Sequence, residues 1–251
     1  MMRSSLRSAL VYCFVLSTVL GCEKQATAQA LPTSATQVQT SPNPVNSAAA
    51  DFAQLARYHA GDEALLRDGN PQARVVFLGD SILERWGRDA GVWFGNRGWM
   101  NRGIGGQTTS QMLLRERNDV LALQPRAVVL EGGSNDMRLG FSPEAIRDNF
   151  ATMGELAEAH HLRVFVATMT PVCDCVRPLT GFRTVEHIAQ LNNMLKELCR
   201  ERNWNLINLN PALADSRGLM RAEFTSDGVH PNDEGYKLLG EIVLRALRQF
   251  R

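Results

Sequence analysis

Val75-Val76-Phe77-Leu78-Gly79-Asp80-Ser81-Ile82-Leu83 is the stretch from which the fold of this chain is read. Arg74 to Leu78 reads as a buried strand: its apolar side chains run without polar alternation, as in a strand covered on both faces. Gly79 ends the run, and Ser81 stands where a strand gives way to the first turn of a helix. Similar short apolar runs recur downstream at Ala127 to Leu130, Arg163 to Thr168 and Asn205 to Asn208, with a shorter one at Met100 to Arg102. Helical patterns lie between them. They cover Thr108 to Asn118, a stretch from the Ser142-Pro143-Glu144 cap to about His160, Thr184 to Arg202, and Asn232 to about Phe250. Upstream, Phe52, Leu55, Ala56, His59, Leu65 and Leu66 mark one helical face, closed by Pro71. Apolar runs alternating with helices predict an α/β fold with parallel strands covered by helices on both faces. In such sheets ligands bind beyond the carboxyl ends of the strands, where Ser81 and Asn135 both fall. No internal repeat is present.

The length of 251 residues suits one globular domain plus an export segment and a linker. Arg3 and Arg7 precede an apolar run from Ala9 to Leu20, too short to span a bilayer comfortably. Residues 1–21 therefore read as a signal peptide of lipoprotein type, because Val19-Leu20-Gly21-Cys22 resembles a bacterial lipobox in which Cys22 is lipidated. Cleavage after Ala28 or Ala30 is the competing reading, and a retained short anchor is a third. All three put the folded part outside the cytoplasm, on the periplasmic face of a membrane, in the periplasm or secreted. Residues 22–50 are rich in Ala, Gln, Thr, Ser, Pro and Asn without an aromatic, and read as a flexible linker. Residues 51–251 form the expected folded domain. A formal net charge of +1 gives no bulk electrostatic reason to expect a nucleic-acid partner. Cys173, Cys175 and Cys199 remain in the folded part, and export permits one disulfide whose pair the sequence does not select.

Three motifs carry chemistry. Ser81 offers a hydroxyl nucleophile, and its own N–H, free at a helix start, can donate to an oxyanion. Gly133-Ser134-Asn135-Asp136 offers an amide side chain in a Gly-rich turn, with Asp136 expected to fix the loop. Asp227-Gly228-Val229-His230 puts a carboxylate three residues from an imidazole, around a glycine that permits a turn. His230 is the one histidine of five in a Gly/Pro-bounded loop beside a carboxylate; His59, His160, His161 and His187 fall on helical patterns. Gly103, Gly105 and Gly106 crowd a further strand-end loop without completing a dinucleotide fingerprint. Trp86, Trp93, Phe94 and Trp99 lie between the first two blocks; core packing is favoured over an aromatic wall at the site.

Together these blocks resemble the GDSL, or SGNH, hydrolase superfamily, most closely its platelet-activating-factor acetylhydrolase-like branch. The resemblance rests on Gly79-Asp80-Ser81-Ile82, on Asn101-Arg102-Gly103-Ile104-Gly105-Gly106-Gln107-Thr108, on Gly133 to Asp136 and on Asp227 to Asn232, and spans about residues 51–251. It implies a three-layer α/β/α, flavodoxin-like domain with a five-stranded parallel sheet. It implies Ser81 as nucleophile, His230 and Asp227 as acid–base pair, and an oxyanion hole from the Ser81 N–H, the Gly106 N–H and Asn135. No metal or organic cofactor is implied. The expected activity is hydrolysis of short-chain esters, acetyl foremost, on a carbohydrate or other extracytoplasmic carrier. An acyltransferase with the same site, or a non-catalytic lipoprotein that binds glycan or cell wall, are the alternatives.

Overall fold

The computed structural model describes residues 51–67, 74–86, 94 and 97–250. The signal segment 1–21, Cys22, the linker 22–50, Pro71 and Trp93 lie outside the described residues. In chain order the named elements are α1 (Ala56–Arg67), β1 (Val75–Gly79), α2 (Ser81–Arg85), β2 (Trp99–Gly103), α3 (Thr109–Asp119) and β3 (Ala127–Leu130). They continue with α4 (Ser134–Arg138), α5 (Pro143–Ala159), β4 (Arg163–Ala167), α6 (Val185–Arg202), β5 (Asn205–Ile207), α7 (Asn210–Leu213) and α8 (Asp233–Ala246).

The five strands form one sheet in the order β2-β1-β3-β4-β5, and every pairing is parallel. Each strand sends alternate side chains to opposite faces. Val76, Leu78, Val128, Leu130, Val164 and Val166 pack with Met112 of α3, Phe150 of α5 and Leu191 and Leu195 of α6. Val75, Phe77, Val129, Phe165 and Ile207 point the other way and pack with Leu83 of α2 and Leu239 and Val243 of α8. The unalternating apolar strands thus follow from burial on both faces, and the three-layer α/β/α expectation holds.

The caps are local. Ser142 accepts the Ala145 N–H with Pro143 in the first turn of α5, and Thr184 caps α6 through the His187 N–H. Thr108 and Gln111 form a reciprocal capping box at α3. The final helix ends earlier than the periodicity implies, at Ala246, with a tighter turn over Arg248–Phe250.

The helix near residue 56 departs from expectation in its packing. Phe52, Leu55 and Leu66 are exposed, and the buried residue of α1 is Asp62, which pairs with Arg102. Tyr58 Oη–H donates to the Gly103 carbonyl at 2.6 Å, and the Arg102 guanidinium lies 4.6 Å from the Tyr58 ring centre. The reason is position. β2 is an edge strand, so a segment lying there meets charged side chains and unpaired carbonyls rather than a sheet face. The aromatic cluster follows the core reading: Trp86, Phe94 and Trp99 are buried in the α2/α8 layer.

Candidate active site

The motif side chains converge at the carboxyl ends of β1 and β3. Ser81 opens α2 immediately after β1. Asp80 caps this helix, its Oδ1 accepting the Ile82 N–H at 2.9 Å. As the first helical residue, Ser81 has an N–H with no intrahelical acceptor. Gly103 lies beside this turn: a Cβ there would sit 2.3 Å from the Glu84 nitrogen, so only glycine lets β2 approach α2.

Asn135 sits in α4, which follows β3 through Gly132 and Gly133, and its Nδ2 donates to the Gln107 carbonyl at 3.0 Å and to Asp80 Oδ2 at 3.3 Å. The amide is thereby oriented from behind. Asp136 holds the neighbouring loop, accepting the Thr109 N–H at 3.0 Å and the Thr109 hydroxyl at 2.6 Å. Gly106, at φ +82°, lines the same cleft as Ser81 and Asn135. Behind these loops lies Arg115, fully buried. It donates to the Gly79 carbonyl at 2.8 Å, to Gln107 Oε1 at 2.6 Å and to Asp119 at 2.8 Å.

The turn ahead of α8 supplies the third side. Asp227 Oδ1 accepts the N–H groups of Val229 at 2.9 Å and His230 at 2.8 Å, and Thr225 Oγ1 accepts that of Gly228 at 2.9 Å. Gly228 has φ +85°, and a Cβ would sit 2.5 Å from the Cys173 carbonyl oxygen. This turn aims the ring. His230 Nδ1 lies 2.6 Å from Asp227 Oδ2, and Nε2 lies 2.8 Å from Ser81 Oγ, across a sequence separation of 149 residues. Arg85 also donates to Asp227 Oδ2, at 3.2 Å.

Electrostatics fix the direction of these bonds. Burial raises the Asp227 carboxyl, but hydrogen bonds from the His230 backbone, the His230 ring and the Val229 N–H outweigh it and hold the group far below the ordinary carboxylate range. Asp227 is therefore ionised, the shared proton sits on Nδ1, and Nε2 is left to accept from the Ser81 hydroxyl. Burial lowers His230 below the usual histidine value, the Asp227 carboxylate opposes this, and the Arg85 and Arg183 charges add to the lowering. The imidazole stands neutral and able to take a proton.

The cleft in front of Ser81 has a volume of about 640 Å³. Sequence reading missed much of its lining: Arg85, Arg138, Arg177, Leu179, Phe182 and Arg183. None lies inside a catalytic motif. The segment from Cys173 to Arg183 is tied down by a Cys173–Cys175 disulfide and by the Cys173 N–H, which donates to the Gly228 carbonyl at 2.9 Å. The Asp174 carboxylate accepts the Leu179 and Thr180 N–H groups at 2.6 and 2.8 Å. Cys199 remains a free, buried thiol, pushed by burial up to about 12. Of the other histidines, His59 and His187 are exposed on α1 and α6, and His160 and His161 form the turn between α5 and β4.

Comparison with known proteins identifies the family. An acylhydrolase candidate of Bacteroides fragilis shares 30% identity at a TM-score of 0.73, covering 80% of this chain and 99% of its own. A GDSL-like lipase of Bacteroides thetaiotaomicron shares 30% identity at a TM-score of 0.71, covering 79% and 98%. An N-acylneuraminate cytidylyltransferase of Streptococcus agalactiae is 28% identical over 173 residues, which is 68% of this chain but only 38% of that relative. The family model for GDSL-like lipases and acylhydrolases matches residues 77–238, from β1 into α8. The chain belongs to the GDSL-like lipase/acylhydrolase family of hydrolytic enzymes.

Proposed function

We propose that this protein is a serine esterase that cleaves short-chain esters, acetyl foremost, through Ser81, His230 and Asp227. The observation that carries the reading is the 2.8 Å contact from His230 Nε2 to Ser81 Oγ, backed by the 2.6 Å contact from Nδ1 to Asp227. In the reaction His230 takes the Ser81 proton as Oγ attacks the ester carbonyl carbon. The developing oxyanion is met by the Ser81 N–H, the Gly106 N–H and the Asn135 amide. Asn135 can turn one N–H toward it by giving up the longer of its two contacts, the 3.3 Å one to Asp80. The C–O bond to the leaving alcohol breaks, and His230 returns the proton to that oxygen. Water, deprotonated by the same imidazole, then attacks the acyl-enzyme and frees the acid. Asp227 keeps Nδ1 protonated and stabilises the imidazolium that forms twice per cycle.

A carbohydrate or other extracytoplasmic carrier is the proposed alcohol half. The broad, open cleft supports a bulky alcohol, and the name of the 28% relative, an enzyme of an N-acylneuraminate, supports a sugar. The lipobox-like Leu20-Gly21-Cys22 supports attachment through Cys22 at a periplasmic membrane face. Ser81→Ala and His230→Ala are each expected to lower kcat for a short-chain aryl acetate by about 10³-fold or more. Steady-state assays of released acetate check this, and wild-type turnover in either variant removes the mechanism.

A further inference from the structure

The cleft in front of Ser81 holds more positive charge than ester cleavage needs. Arg85, Arg138, Arg177 and Arg183 line it, against the single carboxylate of Glu84. Two of these five charges already have partners, since Arg85 meets Asp227 at 3.2 Å and Glu84 meets Arg57 at 3.5 Å. Among the described residues no carboxylate is paired with Arg138, Arg177 or Arg183. The whole chain is almost balanced, with 27 basic and 26 acidic residues, so the excess is local to this cleft.

Exposed arginines alone say little, because Arg138 and Arg177 could simply be solvated. Arg183 is different. It is only 5% exposed, and its Nε donates to the Ser134 carbonyl at 3.0 Å and to Ser134 Oγ at 2.8 Å. Those two bonds fix the plane of the guanidinium next to the residue that precedes Asn135. No hydrogen bond engages its terminal nitrogens among the described residues, and the side chain lines the cleft. Burial and the charges of Arg138 and Arg177 lower the proton affinity of Arg183, the Asp80 carboxylate opposes them without reversing the effect, and both arginines lie within electrostatic reach of Arg183. A buried, oriented guanidinium fork beside two like charges is unfavourable in an empty cleft and becomes favourable when an anion enters.

We propose that the natural substrate is an anionic ester, whose carboxylate or phosphate is held by Arg183 together with Arg138 and Arg177 while its acyl carbonyl lies at Ser81. This rests on the serine esterase reading. With a short acyl group, the anion belongs to the alcohol half. Its binding then acts on the acylation step, in which the Ser81 Oγ–acyl bond forms, the ester C–O bond breaks, and the alcohol leaves with the proton from His230.

Two matched substrate pairs test this: a mono-O-acetylated methyl glucuronoside against the corresponding methyl glucoside, and mono-acetyl glycerol phosphate against mono-acetyl glycerol. At least one anionic member is expected to exceed its neutral partner in kcat/KM by about tenfold or more, chiefly through KM, as for one charge-assisted hydrogen bond. Which pair shows the gap tells carboxylate from phosphate. Added salt narrows the gap. Arg183→Gln is expected to bring the ratio toward one, and Arg183→Lys to restore it in part, because the charge returns without the fork. A merely structural Arg183 would lower both members equally and leave the ratio intact. Ratios near one in both wild-type pairs, or a ratio unmoved by Arg183→Gln, overturn the proposal. Calorimetric titration of Ser81→Ala with methyl glucuronoside and with glycerol phosphate separates the two readings. If wild type cleaves no ester but one anion binds and Arg183→Gln abolishes it, the esterase reading alone fails. If neither anion binds, the anion site fails, whatever the esterase does.

Discussion

His230 is pulled in two directions, and the balance sets how the enzyme answers to pH. Burial, Arg85 and Arg183 favour the neutral ring, while Asp227 favours the charged one. The net effect lies below the ordinary histidine value, so the acid limb of kcat/KM is expected to fall below pH about 6.5. Removing the Arg85 charge eases protonation of the ring and also releases Asp227 to face it alone. Arg85→Gln is therefore expected to move that limb to higher pH, read from kcat/KM profiles of a neutral aryl acetate. A limb that stays in place would remove the electrostatic account of this histidine. At the same scale, most motif residues were legible in the sequence because their chemistry is local: Asp80 and Ser81 cap and open one turn, and Asp227 to His230 fold on one glycine. Arg183 was not legible, since it owes its place in the cleft to a tertiary bond with Ser134, with nothing periodic around it.

Arg115 joins elements that the sequence lists as separate. From the middle of α3 it holds the end of β1 at Gly79 and the loop after β2 at Gln107, and Gln107 in turn accepts from Asn135. The turn that leads into Ser81 and the loop that carries Gln107 are thus tied to one buried guanidinium. Arg115→Met leaves Asp119 buried without its partner, which is expected to destabilise the domain by about 3–5 kcal/mol. The double variant Arg115→Met/Asp119→Leu removes both charges and is expected to recover part of that loss. Urea unfolding of the three proteins checks this, and equal stability of the single variant and wild type would contradict it. Strand and helix positions follow closely from the apolar runs and caps, because those are properties of neighbouring residues. The packing of α1 does not: its apolar residues suggested a buried face, yet the edge of the sheet there offers Arg102 and the Gly103 carbonyl, so the helix turns Asp62 and Tyr58 inward.

At the scale of the whole molecule, parallel strands point one way, so the turns that follow them gather at one end of the sheet. That gathering makes one cleft of residues drawn from β1, β2, β3 and the chain's last turn before α8. The same end holds the arginine excess of a chain that is otherwise almost neutral. Attachment of the protein to a membrane through Cys22 is a proposal of this scale too, and Cys22→Ser is expected to move it from the membrane to the soluble extracytoplasmic fraction. Fractionation of cells expressing each form decides it, and an unchanged distribution rules the lipid anchor out. The order of apolar runs, the caps and the three motifs determined the fold class, the strand count and which side chains are candidates for the chemistry, because each depends on residues close in the chain. The meeting of Ser81 with His230, the charge of the cleft and the choice of Cys173 with Cys175 were decided only by tertiary structure. Contacts between distant residues depend on how strands are ordered and loops are aimed, and no local spacing records that.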